Sequence, residues 1–269
     1  MRWELFALLM ILPWMATYGG SLAGVHLKLD TERRQGGLLG FAAGVMIAAS
    51  IWSLILPAFD EAGTGPAGAA VVTAGFLLGC AGMLLLDRLV PHQHPDDDTP
   101  EGHASHLSRP MLLVLAVALH NIPEGLALGV VIAAAAEHSS MSWAGALMFG
   151  LGLALQNFPE GLAVVLPLRQ AGASKRKCHR LGLLASLAEP AAALLGLAFT
   201  SLLSALGGII MPLLLSVAAG AMIFIVVEEL IPESQAARRA SPHGGHGHAA
   251  TYGFLLGFWA MALMGVLGG

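Results

Sequence analysis

The chain contains the octet His120-Asn121-Ile122-Pro123-Glu124-Gly125-Leu126-Ala127. Its next apolar stretch contains Gln156-Asn157-Phe158-Pro159-Glu160-Gly161-Leu162-Ala163. Six of the eight positions are identical. Each octet sits near the middle of an apolar segment long enough to span a bilayer, which takes roughly 20 residues. An ionisable side chain at that depth costs at least about 2.5 kcal/mol and marks a functional site by default. A repeat of polar residues there is hard to attribute to packing. The two stretches are therefore read as paired membrane helices, and the fold class as an all-α, polytopic integral membrane protein.

Working outward, six further segments qualify, so the expected spans are about 4–27, 36–59, 67–90, 110–136, 141–168, 179–204, 208–233 and 250–268. The first apolar run exceeds a signal-peptide core of roughly 7–15 residues and begins with Glu4, so it is read as a retained helix. Composition agrees. Of the 269 residues 56% are hydrophobic and 11% charged, against about 25% charged in a soluble domain. The 34 glycines suit closely packed membrane helices. A net charge of −4 gives no reason to expect nucleic acid, and two cysteines imply no disulfide framework. The whole chain, 1–269, is expected to form one transmembrane domain.

The basic residues orient it. With eight spans, 12 of the 13 lysines and arginines fall on the side of the loops after spans 1, 3, 5 and 7, leaving only Arg2 opposite. Cytoplasmic loops carry such an excess, so both termini are expected outside the cytoplasm.

At about 100° per residue, Glu124 lies angularly between His120 and Asn121, and Glu160 between Gln156 and Asn157. If the two helices face each other, two carboxylates stand between two groups of N and O donors. That predicts a two-metal site bridged by Glu124 and Glu160. Imidazole with carboxylate suits Zn²⁺ and neighbouring transition metals. Pro123 and Pro159 lack N–H groups, so the carbonyls of Leu119 and Leu155 lose their helical donors and a kink is expected beside the ligands. Gly125 and Gly161 would let another backbone approach. Glu189-Pro190 in span 6 repeats the acid-and-proline theme and is a candidate for the second metal.

On these two octets the chain resembles the ZIP (Zrt/Irt-like) metal transporters, in their prokaryotic GufA-like branch, over essentially its whole length. The resemblance implies uptake of a divalent transition metal into the cytoplasm by alternating access, across a bacterial inner membrane. Zinc is the first expectation, with cadmium, iron, manganese and cobalt as alternatives. It places His120, Glu124, Gln156 and Glu160 at one metal, and Asn121, Glu124, Asn157, Glu160 and Glu189 at the other. A site-bearing helix bundle moving against a scaffold bundle, commonly in a homodimer, is also implied.

Met46, Ser53 and Asp60 recur at steps of seven along span 2. By resemblance they fall on the entry and transport path. Glu228 and Glu229, near the inner end of span 7, are candidates to receive the ion on exit. The loops at about 91–109 and 234–249 hold His92, His94, His103, His106, His243, His246 and His248, with Asp96, Asp97 and Asp98, and such tracts bind metal weakly. A competing reading is a membrane-embedded metal hydrolase. That chemistry keeps an open metal position for an activated water, but the sequence has no HExxH motif. The reading adopted is a transporter and not an enzyme.

The orientation is checked by cysteine substitution at His103 or His246. Neither variant should take more of a membrane-impermeant thiol reagent in intact cells than the wild type. Strong labelling from outside would invert the topology.

Overall fold

A computed structural model describes residues 2–26, 32–63, 65–93, 102–137, 141–170, 172–203, 207–239 and 248–268. The described residues contain eight helices long and apolar enough to cross a membrane: α1 Trp3–His26, α2 Gln35–Ala62, α3 Pro66–Leu89, α4 Val114–Ala136, α5 Trp143–Arg169, α6 Lys175–Leu203, α7 Ile210–Gln235 and α8 Ala249–Gly268. They match the eight spans read from hydropathy. Helical backbone continues beyond α7 to Arg239, into the stretch expected to be loop.

In lipid a helix satisfies its own backbone, so association rests on close van der Waals contact instead of hydrophobic driving force. Glycines supply that contact. α2 packs on α8, α3 on α7, α1 on α5 and α4 on α6. At each seam a methyl added to a glycine would strike a facing carbonyl. Gly44 meets the carbonyl of Phe254, and Gly79 that of Val217. Gly161 meets the carbonyl of Thr17, and Gly125 that of Glu189. The glycine after each octet glutamate is thus a point of close approach by another helix backbone, α6 or α1. Packing of α4 on α5 and of α1 on α6 joins these four helices, and α2 on α7 links the other two pairs.

The outer helices present the apolar surface that lipid solvates. Leu77, Leu78 and Leu85 of α3 are exposed, as are Leu256, Trp259 and Leu263 of α8. Helical backbone runs unbroken through Pro123 and Pro159. An interruption falls in α6, at Leu187, between helical segments Lys175–Ser186 and Ala188–Leu203. Pro190 accounts for it, because its ring collides with the carbonyl four residues earlier, at Ser186, and offers it no donor. Among the described residues two wider, π-helical stretches occur, Ser50–Ile55 in α2 and Val226–Leu230 in α7. Such stretches often accompany functional positions.

Two glycine substitutions should act with opposite sign on thermal melting in detergent. Gly44→Ala forces α2 away from α8 and should cost about 1–3 kcal/mol. Gly82→Ala, where an added methyl meets nothing within 4 Å, should stabilise by up to about 1 kcal/mol. An unchanged melt for Gly44→Ala would mean that the seam is not close-packed.

Candidate metal centre

Helices α4, α5 and α6 bring their polar residues to one buried place. Asn121, Glu124, Gln156 and Asn157 are fully buried, and His120, Glu160 and Glu189 nearly so. The three amides show how the place is organised. Gln156 Nε2 donates to Glu124 Oε1 at 2.6 Å. Asn157 Nδ2 donates to Glu189 Oε2 at 2.7 Å. Asn121 Nδ2 donates to the Ala185 carbonyl at 3.1 Å, just before the interruption in α6. Each amide thus spends its N–H groups on a neighbour and keeps its oxygen.

The oxygens left over form a set. Asn121 Oδ1, Glu124 Oε2, Gln156 Oε1, Asn157 Oδ1, both carboxylate oxygens of Glu160, and Glu189 Oε1 are buried without a hydrogen-bond donor among the described residues. Burying a polar atom unpaired costs free energy, so these seven oxygens are candidate acceptors for a cation. Glu124 feels the charges of Glu160 and Glu189, and Glu189 that of Glu160, so the three acids act on one another electrostatically. Among the described residues no three His, Cys, Asp or Glu side chains are gathered into a cage by themselves. Amide oxygens therefore have to complete any shell.

His120 is turned elsewhere. Its Nε2 meets Glu229 Oε2 of α7 at 2.5 Å, an ion pair when the imidazole is protonated. A cavity of about 30 Å³, lined by His120 and Glu160, reaches from there to Glu233. That is room for about one water-sized occupant. Its other walls include Ala116 and Val117, which precede the octet on α4, and Val164 and Pro167, which follow it on α5. All of these, like Glu233 on α7, lie toward the ends of the helices that carry the basic loops. Glu233 was missed from sequence. The available signal was its spacing of four from Glu229, which puts both acids on one face of α7.

The remaining candidates are more scattered. Glu228 is exposed, unlike its neighbour Glu229. Met46 is buried in the core and Ser53 is buried within the π-helical stretch of α2. Asp60 is exposed near the end of that helix. Of the loop histidines, His92 is buried, with Nδ1 2.8 Å from the Val90 carbonyl and Nε2 3.2 Å from Asp87, at the end of α3. His103, His106 and His248 are exposed. His94, Asp96, Asp97, Asp98, His243 and His246 lie outside the described residues.

Comparison with known proteins decides the family. The profile of the family described as ZIP zinc transporter matches residues 90–265. The chain belongs to the ZIP zinc transporter family. It is 40% identical over 253 residues to the zinc transporter ZIPB of Bordetella bronchiseptica, covering 93% of this chain and 76% of that one. To the zinc transporter GufA of Myxococcus xanthus it is 36% identical, with 92% of each chain covered. Zinc transporter ZupT of Corynebacterium glutamicum is 37% identical, with 93% of each covered. As a ZIP family member with eight candidate spans, the chain is a multi-pass membrane protein.

Proposed function

We propose that this ZIP family chain carries zinc into the cytoplasm by alternating access, through a two-ion centre bridged by Glu124 and Glu160. The observation that carries this reading is the set of seven buried oxygens without donors among the described residues, contributed by α4, α5 and α6. Gln156 and Glu124 stand at one ion with Glu160. Asn121, Asn157 and Glu189 stand with the same two bridging acids at the other. His120 joins the first ion when it leaves Glu229. Other divalent transition metals, cadmium, iron, manganese and cobalt among them, meet the same donor set. The relatives named as zinc transporters support placing zinc first.

The route follows from where the acids lie. Met46, Ser53 and Asp60 on α2 mark the entry side. Glu229 and Glu233, facing His120 and the cavity beside Glu160, receive the ion toward the basic-loop side, which the positive-inside asymmetry makes cytoplasmic. Glu228, being exposed, takes the ion only once it meets water. The group α1, α4, α5 and α6 carries the centre and moves against α2, α3, α7 and α8. The His120–Glu229 pair spans the two groups and has to part in that movement. The chain works as a single transporter domain, in a homodimer in a bacterial inner membrane with both termini outside.

Carboxylates must be ionised and imidazole neutral to bind metal, so loading releases protons and binding weakens as pH falls. Zn²⁺ titrated into weakly buffered, solubilised protein near neutral pH should release protons. The Glu124→Gln, Glu160→Gln double variant should lose at least about tenfold in affinity, since even a group that only orients a ligand is worth 10–100-fold. It should also release fewer protons per ion. Equal binding and equal release would end the bridged-centre reading.

Sealed proteoliposomes should accumulate Zn²⁺ saturably without any organic substrate. Glu233→Gln should lower the maximal rate several-fold while equilibrium binding at the centre changes little. An unaffected rate would remove Glu233 from the route.

A further inference from the structure

α1 supplies none of the side chains assigned to the two ions, yet it touches the Asn157–Glu189 pair twice. Thr17 is fully buried. Its hydroxyl lies 3.3 Å from the Pro13 carbonyl, one turn back, and 3.5 Å from Glu189 Oε2. The Pro13 carbonyl also accepts from Asn157 Nδ2 at 3.3 Å, and the same amide nitrogen reaches Glu189 Oε2. Thr17, Glu189, Asn157 and Pro13 thereby close a ring that ties α1, α5 and α6 together. Glu189 Oε1 and Asn157 Oδ1 are the two oxygens outside it.

The ring has a directional consequence. A carboxylate held at one oxygen by two donors has its plane set, so its other oxygen points one way. An amide with its nitrogen bound at two acceptors is fixed likewise. Threonine in a membrane helix ordinarily turns its hydroxyl back to the carbonyl four residues earlier. Here a second acceptor is offered, and an ionised carboxylate is the stronger one. The Pro13 carbonyl is not abandoned when the hydroxyl turns, because Asn157 still donates to it. Gly161 holds the arrangement in register, since a methyl there would strike the Thr17 carbonyl. The residue after Glu160 thus sets how close α1 comes.

We infer that Thr17, with the Pro13 carbonyl, is a positioning element for the second ion, holding Asn157 Oδ1 and Glu189 Oε1 toward it. This rests on the proposed reading of Asn157 and Glu189 as ligands. The substitution Thr17→Val keeps shape and removes the hydroxyl. It should raise KM for zinc uptake in proteoliposomes about tenfold, equivalent to about 1.4 kcal/mol, with the maximal rate within about twofold. Thr17→Ser, which keeps the hydroxyl, should hold KM within about threefold of wild type. In Zn²⁺ titrations of solubilised protein, Thr17→Val should weaken binding in the wild-type background and add nothing in a Glu189→Ala background.

A wild-type KM for Thr17→Val overturns the inference. So does an equal penalty in both backgrounds, or a Ser variant as impaired as the Val variant. If the Val variant is not monodisperse in detergent, Thr17→Ala replaces it under the same criteria. The Glu124→Gln, Glu160→Gln variant runs alongside. Loss of binding there with a neutral Thr17→Val removes only the role of Thr17, whereas normal binding there removes the two-ion centre itself.

Discussion

Three carboxylates, Glu124, Glu160 and Glu189, have to be buried in the low-dielectric middle of this molecule, and much of its architecture answers that constraint. Isolated buried charge is costly. Two devices offset the cost. Amide nitrogens of Gln156 and Asn157 give one oxygen each of Glu124 and Glu189 a donor. The remaining oxygens have no donor among the described residues, and in the proposed reading one or two cations serve them. A cluster built only for stability would pair its oxygens internally. This one spends its amide donors on two of the carboxylate oxygens and leaves seven acceptors without a donor among the described residues.

Backbone contact brings the acids that close. Each octet ends in glutamate, glycine, leucine, alanine, and the glycine is where a partner helix lies against α4 or α5. The residue that follows each octet glutamate therefore admits a neighbouring helix, α6 at Gly125 and α1 at Gly161. Pro190 interrupts α6 in the turn before Glu189. The Ala185 carbonyl in that region then orients Asn121. Proline and glycine, costly in a soluble helix, are used here to shape a polar centre that lipid never touches.

The His120–Glu229 contact gives the centre a connection to the other helix group. It joins α4 to the π-helical stretch of α7. The cavity between Glu160 and Glu233 continues in that direction.

The sequence by itself determined the solvent, the number of spans and the seven polar residues midway along three of them. These are local properties: hydropathy over about 20 residues, and polar types repeated at a fixed spacing. Helical periodicity also said which residues share a face, so Glu124 with His120 and Asn121 was legible. It could not say which helix that face meets. The turn of His120 toward Glu229, the place of Glu233 on the cavity and the contact of Thr17 with Glu189 each join residues far apart in the chain, 172 positions apart in the last case. They depend on how closely glycine seams let helices approach and at what height they cross. Only tertiary packing decides those distances, because a helix carries its own hydrogen bonds wherever its neighbours lie.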